Sequence, residues 1–580
     1  VRGIQARIAV LCLLLVLIYT VFAWRLINLQ VRDHDSFSDI ASDKHSIKLP
    51  IQAKRGRILD RNGEELAVNI PVRTVTADGT HIKDPAALAA VAAPFLEIPV
   101  DELTKKLSTQ KPYVVICKRV SEEKAQGMIR AMEGAKLRGL YLEESSIRIY
   151  PNASMLCHVL GFVDQSGKGV DGIEKTLDRE LSGHDGFRKI EHDRKGREIM
   201  VYRGQEQLPE EGADIRLTID MGLQAIVEKE LDATFKELRP AGATAILADP
   251  NTGEILALAC RPNFDPNKSN DAKPEQMRNR SISDMYEPGS TFKIVVASAA
   301  LNEGIVDEKT RIYCENGQFS YGGKILKDHH GSGDLSVSEI LMKSSNIGSA
   351  KMALRMDDNV YYQYVRRFGF GEKTGLPLPG EISGLVNPVH KWDMLTKTRM
   401  AMGQSVAVTP VQMVMAMSTV ANGGHLMKPR LVLSKGEGSV VRESVPASDA
   451  IARKTANFVA TALERVVSDQ GTAPLARVDG FTVAGKTGTA QKISSHGGYL
   501  NDRYIVSFAG FLPAEAPRLM GLVIVDDAPI AGSANYGGLV AAPVFSRIAG
   551  NAMRYLDIQP ESAAVMAQSG NATTSAPVIR

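Results

Sequence analysis

An α/β (α+β) fold built on one antiparallel sheet is what the sequence predicts for the larger, C-terminal part of the chain. Three observations carry that expectation. Apolar or alternating segments at 243–248 and 255–259 flank the turn sequence Asp249-Pro-Asn-Thr-Gly253. Strand-like segments return late, at 481–485, 504–511 and 519–525. Helix-rich sequence fills roughly 290–470 between them. Early and late strands must then meet in one sheet, with helices between and against it.

The chain's 580 residues leave room for two or more domains. With 44% hydrophobic and 23% charged residues the composition is globular, which excludes bulk disorder. A net charge of +3 is nearly balanced and leaves no footprint for a nucleic-acid partner. Residues 1–7, with Arg2 and Arg7, read as a cytoplasmic tail. Residues 8–24 carry no charge and predict a single transmembrane anchor. A cleaved signal peptide ending at Val21-Phe-Ala23 is the rival. The anchor is favoured because Trp24, Leu26, Ile27 and Leu29 prolong the apolar stretch.

Residues 25–212 are expected to form a non-catalytic interaction domain of mixed α+β type, with a stalk over 25–55. An Asn62-Gly63 turn follows the stalk, and charged helices fall at 99–107 and 121–132. The texture changes at Ala213. Residues 213–558 hold the single-sheet domain, which begins with a helix carrying Leu223, Ile226, Val227, Leu231, Phe235 and Leu238 at helical spacing. That domain closes on an amphipathic helix at 542–556, and residues 559–580 read as a disordered tail.

The chemistry gathers around Glu287-Pro-Gly-Ser-Thr-Phe-Lys293. Pro288 and Gly289 break the preceding structure, and an apolar run at 294–301 predicts a buried helix. Ser290 and Lys293 would share its first turn on one face. A serine hydroxyl is a weak nucleophile, but a desolvated lysine can lose its proton and serve as the base. An S-x-x-K unit alone is weak, since Ser108-Thr-Gln-Lys111 also fits. The ordered partners give it weight: Ser344-Ser345-Asn346 as S-x-N, and Lys486-Thr487-Gly488 followed by Thr489. A second K-T-G at Lys373-Thr374-Gly375 lies in a Gly- and Pro-rich loop, whereas the 486 copy follows a strand-like segment. An acyl site bordered by K-T-G needs a strand edge that can pair with a peptide, so the 486 copy is expected to be functional. Cys12, Cys117, Cys157, Cys260 and Cys314 form no C-x-x-C pair, and their spacing requires no disulfide. His329-His330, near Asp328 and Asp334, reads as a polar loop rather than a metal site.

These motifs together resemble the class B penicillin-binding proteins, membrane-anchored peptidoglycan DD-transpeptidases. Arg55-Gly-Arg-Ile-Leu-Asp-Arg-Asn-Gly63 and Gly169-Val-Asp-Gly-Ile-Glu174 resemble pedestal motifs of that family. Asn279-Arg280, Gly403-Gln-Ser-Val-Ala-Val-Thr-Pro410, Tyr536-Gly-Gly538 and Ala-Pro-Val-Phe545 resemble landmarks of its catalytic domain. Ser405 is a departure, at a position where glycine is frequent. The likeness is greatest to the septal, cell-division branch (FtsI type).

The resemblance implies a serine beta-lactamase/transpeptidase-like catalytic domain that needs no metal or other cofactor. It implies Ser290 as nucleophile toward stem peptides ending in D-Ala-D-Ala, and Lys293 as its base. Ser344 would relay the proton to the leaving D-alanine, and Asn346 would hold Lys293 and the substrate amide. Lys486 would face the terminal carboxylate, with Thr487, Gly488 and Thr489 binding substrate. The backbone N–H groups of Ser290 and Thr489 would form the oxyanion hole. Beta-lactams would acylate Ser290. Implied partners are the membrane, a SEDS-type glycosyltransferase (FtsW) and other division proteins, at the septum of the bacterial inner membrane. The alternatives are an elongation transpeptidase, a class D-like beta-lactamase and a beta-lactam sensor. A lone hydrolase has no use for a pedestal of this size, and a sensor is expected to carry several spans and a signalling domain.

Overall fold

The computed structural model describes residues 2–33, 46–111, 113–192, 198–436, 446–493, 498–530 and 535–560. They form two compact units that interleave along the chain. One comprises Val1–Arg55, Ile70–Ile147 and Ser182–Gly212, the other Gly56–Asn69, Arg148–Leu181 and Ala213–Arg580.

In the first unit the N-terminal helix runs over Arg2–Ile27, longer than the expected 8–24 because nothing on either flank breaks it. At 26 residues it spans about 39 Å, and it is long and apolar enough to cross a membrane. Part of the expected stalk lies in a described strand. Ser46–Ile51 is a strand paired antiparallel with Gly186–His192, consistent with the polar–apolar alternation of Ser46-Ile-Lys-Leu-Pro-Ile51. Residues 34–45 lie outside the described residues. The helices predicted at 99–107 and 121–132 appear as Val100–Leu107 and Glu122–Gly134, joined by Pro85–Leu96. Asp84 and Ser121 cap two of them through their side-chain oxygens. Leu88, Leu96, Leu103, Leu107, Met128 and Met132 pack together with Val75 and Ile116.

The second unit is organised by a five-stranded antiparallel sheet. Its strands are β1 (Gly242–Ala248), β2 (Ile255–Arg261), β3 (Ala484–Ile493), β4 (Tyr499–Leu512) and β5 (Leu519–Asp526), in the order β2-β1-β5-β4-β3. Early and late strands share one sheet, as the sequence predicts. Every position of β1 and β2 is buried, so both faces of the sheet are covered. The covering elements include α1 (Met221–Leu238) and the helix Pro410–Ala421. Asp220 caps α1 by accepting from the Gly222 and Leu223 N–H groups at 2.9 and 3.1 Å. The buried helix after Ser290 is α2 (Lys293–Asn302), and α3 (Asn346–Leu354) packs against it. The last helix, α4 (Gly537–Tyr555), packs on α1 and the sheet. It starts five residues before the expected Ala542, because Gly537 and Gly538, poor helix formers by propensity, are held in its first turn by their surroundings. Of the expected tail, residues 561–580 lie outside the described residues.

The two sequence motifs read as pedestal landmarks meet at Arg148. Its Nε donates to Glu174 at 2.7 Å and its Nη1 to the Gly56 carbonyl at 2.7 Å. Both charged side chains are buried, and the Tyr150 hydroxyl donates to the same Glu174 oxygen at 3.3 Å.

Candidate active site

Backbone contacts set the turn that carries Ser290. Tyr286 exchanges two hydrogen bonds with Val408, at 3.0 and 2.9 Å, and the Gly289 N–H donates to the Gly403 carbonyl at 3.1 Å. Gly289 has a φ of +55°, and a Cβ there would sit 3.0 Å from the Thr489 carbonyl oxygen. Glycine is therefore required by conformation and by the close approach of β3. A Cβ at Gly488 would likewise fall 2.8 Å from the Pro288 carbonyl oxygen. These contacts bring the Ser290 turn and the Thr489 backbone together without intervening side chains.

Ser290 lies half-buried in the 3-10 turn Gly289–Phe292, and Lys293, fully buried, opens α2. Lys293 Nζ donates to the Ser344 carbonyl at 2.5 Å, to Ser344 Oγ at 3.1 Å and to Asn346 Oδ1 at 2.8 Å. Ser344 ends the helix Val337–Lys343 in a left-handed conformation, φ 58°, and Asn346 begins α3. The chain reversal between two helix ends is what turns both side chains toward the lysine. Burial pulls the Lys293 pKa down to about 7, against a smaller upward pull from Asp328.

Lys486 sits on β3, the edge strand, fully buried with Nζ 3.4 Å from Thr487 Oγ1. Burial lowers its pKa well below the ordinary lysine value, and the charge of Lys293 lowers it further. The Thr487 and Thr472 hydroxyls are 3.2 Å apart, and Thr489 Oγ1 accepts the Gly537 N–H at 3.2 Å. Gly488 is sealed against the strand behind it, since a Cβ there would meet Ser507 Oγ at 2.4 Å. The structure thus gathers the S-x-x-K, S-x-N and 486 K-T-G residues in one place.

The decoys are elsewhere engaged. The backbone N–H groups of Thr374 and Gly375 donate to the Glu381 carboxylate at 2.6 and 3.1 Å, so the second K-T-G closes a loop. Ser108 ends a helix, its hydroxyl donating to the Thr104 carbonyl at 2.7 Å. All five cysteines are free thiols, and no metal-holding cluster occurs among the described residues.

Sequence reasoning missed several neighbours of the site. Asp328 accepts from Ser345 Oγ at 2.6 Å and from the Asn346 and Ile347 N–H groups at 2.5 and 3.0 Å, anchoring the start of α3. The Asn346 amide nitrogen donates to the Lys327 carbonyl at 3.0 Å, which turns its oxygen toward Lys293. His329, read as part of a polar loop, has its ring 6.1 Å from that of Tyr536, edge to face. Burial and the Lys293 charge lower the His329 pKa. The only sequence signal for these was the Asp328-His329-His330 cluster itself.

Comparison with known proteins decides the family. The penicillin binding protein transpeptidase domain matches residues 243–550, and the penicillin-binding protein dimerisation domain matches residues 50–217. The chain belongs to the class B penicillin-binding proteins. Stage V sporulation protein D of Bacillus subtilis is 35% identical over 570 residues, covering 96% of this chain and 87% of that protein. Peptidoglycan D,D-transpeptidase FtsI of Escherichia coli is 32% identical over 567 residues, covering 96% and 93%. Among solved structures, a peptidoglycan synthetase from Bifidobacterium adolescentis superposes with a TM-score of 0.72 at 27% identity, covering 92% of this chain and 98% of that one. Penicillin binding protein 3 from Mycobacterium tuberculosis, complexed with aztreonam, gives 0.68 at 27% identity, covering 88% and 98%. As a class B penicillin-binding protein the chain is a peptidoglycan D,D-transpeptidase, a serine enzyme that binds beta-lactams.

Proposed function

We propose that this penicillin-binding protein cross-links septal peptidoglycan through an acyl-enzyme on Ser290. The observation that carries the chemistry is the surrounding of Lys293. A neutral lysine amine has two N–H donors and one lone pair. The Ser344 carbonyl and Asn346 Oδ1 can only accept, so they claim the two N–H groups. The lone pair is left for a hydroxyl, and a pKa of about 7 keeps that neutral form well populated at physiological pH.

Ser290 Oγ attacks the carbonyl carbon of the penultimate D-alanine while Lys293 takes its proton. The Ser290 and Thr489 N–H groups receive the oxyanion. Lys486, with Thr487, Gly488 and Thr489 along the edge of β3, binds the terminal carboxylate and the donor backbone. As the C–N bond breaks, Ser344 passes a proton from Lys293 to the leaving D-alanine amine. An acceptor amine then attacks the ester, gives up a proton to Lys293, and Ser290 leaves protonated.

The likeness to FtsI over nearly its full length supports the septal role. The higher identity to a sporulation protein favours a second reading, wall synthesis at another stage of growth. On the septal reading the N-terminal helix anchors the chain in the inner membrane and meets a SEDS-type glycosyltransferase (FtsW) there. Labelling by a fluorescent penicillin is expected to disappear in Ser290→Ala, and a fluorescent fusion is expected at midcell. Labelling that survives in Ser290→Ala refutes the nucleophile, and a fusion spread along the side wall refutes the septal role.

A further inference from the structure

Glu287, three residues before Ser290, joins three separate stretches of chain. Its Oε1 accepts the Ser405 N–H at 2.9 Å and its Oε2 accepts the Tyr499 hydroxyl at 3.0 Å. Ser405 has a left-handed φ of 59°, which costs a residue with a side chain energy and calls for a holding partner. Tyr499 opens β4 and pairs with Ile493, the last residue of β3. One part of the β3–β4 hairpin, at Gly488 and Thr489, lies against Pro288 and Gly289 through backbone. Ile493 is four residues further, about 13 Å of strand. There the tie to the nucleophile turn is a side-chain hydrogen bond from Tyr499 to Glu287. Burial raises the Glu287 carboxyl pKa, while the Ser405 and Tyr499 donors and the Arg399 charge favour its ionised form.

We propose that Tyr499 is a positioning residue for acyl transfer. Its hydrogen bond to Glu287 keeps the edge of β3 at a fixed spacing from Ser290 while the donor peptide pairs with that edge. The inference rests on the nucleophile and edge-strand reading above. Tyr499 is 45% exposed, so removing its hydroxyl opens no cavity and acts on alignment rather than on folding.

The test uses the full chain in detergent and rapid-quench acylation by a fluorescent penicillin, which separates the non-covalent affinity Ks from the acylation rate k2. Tyr499→Phe and Glu287→Gln are each expected to lower k2 by about tenfold with Ks changed less than about twofold, as for loss of a hydrogen bond to a charged group. The double variant is expected to be no slower than Glu287→Gln alone. A k2 for Tyr499→Phe within about twofold of wild type overturns the proposal, as do losses that multiply in the double variant. Ser290→Ala keeps the two readings apart. Labelling that persists there overturns the nucleophile and this inference with it. Labelling lost there, with k2 unchanged in Tyr499→Phe, overturns only the role of Tyr499.

Discussion

Lys293 Nζ, on a fully buried side chain, lies 2.8 Å from Asn346 Oδ1 among carbonyl and hydroxyl oxygens, and that setting governs its proton. On the proposed role of Lys293 acylation needs the neutral amine, so its rate is expected to rise with pH through about 7 and to fall about tenfold per unit below it. The same shift appears in stability. The folded pKa lies below the free value of 10.5, so the unfolded chain binds more protons between about 7 and 10.5, and stability from this group rises with pH across that window. Lys293→Met removes the effect. Its melting temperature relative to wild type is expected to be higher at pH 7 than at pH 10, and a pH-independent difference would contradict the assignment.

Asp328 works on the same lysine from one shell out. Its charge favours the ammonium form of Lys293, and its oxygens hold Ser345, Asn346 and Ile347. Asp328→Asn removes the charge and keeps the shape. The acid limb of the acylation profile is expected to move to lower pH, by about one unit for a single nearby charge. The other titratable groups near this pair are Lys486, His329, His330 and Cys314. None of them changes in the variant, so an unmoved limb counts against the electrostatic role.

Lys486 and Lys373 sit in the same tripeptide with opposite prospects. Lys486→Ala removes the amine that β3 carries near Lys293, an amine whose protonated form would meet the substrate carboxylate on the proposed mechanism. The loss is expected to be about 1.5–3 kcal/mol, or roughly a tenfold to hundredfold slower acylation. In the other copy the Thr374 and Gly375 N–H groups are already taken by Glu381. Lys373→Ala is expected to acylate at the wild-type rate, and equal losses from both would remove the distinction between strand and loop.

The buried pair Arg148–Glu174 gives a stability test away from the chemistry. Removing one partner takes the counter-charge from the other inside the protein, which costs about 3–5 kcal/mol. Glu174→Gln and Arg148→Met are each expected to lower the melting temperature by several degrees, with penicillin labelling retained at low temperature. A melting point unchanged in both would mean the pair is not buried in solution.

Much of this was legible in the sequence because local signals and tertiary roles agree. The apolar run after Lys293 dictates a buried helix, and burial itself depresses the lysine pKa. Short apolar runs at 504–511 and 519–525 read as strands, and the K-T-G on β3 falls on a sheet edge, where a peptide-binding strand has to be. What escaped has no local signature. Asp328 is an ordinary loop aspartate until folding sets it at the start of α3, 17 residues or more along the chain from its partners. Glu287 and Tyr499 are 212 residues apart, and only the closed sheet brings them together. Gly537 and Gly538 fall outside the expected helix at 542–556 because propensity ignores the packing of the first turn of α4 against β3 and Thr472.

The acyl-enzyme is expected to wait for an amine rather than for water. A hydrolase must hold a base against the ester, and among the described residues the carboxylates near this site, Glu287 and Asp328, are engaged in structural hydrogen bonds. Glu287 accepts from Ser405 and Tyr499 on its two oxygens, and Asp328 accepts three hydrogen bonds around the start of α3. His329 has its pKa lowered by burial and the neighbouring lysines, which makes it a weaker base than a free histidine. On the proposed mechanism Lys293 takes the proton of Ser290 and gives it up to the leaving group, so it is not the missing base. With penicillin the leaving amine stays tethered in the adduct, which on the proposed mechanism would keep both an acceptor amine and water from the ester. Intact-protein mass of the full chain in detergent, after one equivalent of penicillin, is expected to show one persistent adduct, absent in Ser290→Ala. With a peptide or thioester donor, adding a D-amino acid acceptor is expected to raise turnover. A rapid return to the unmodified mass, with many penicillins destroyed per enzyme, would show that water is activated here after all and that a base has been overlooked.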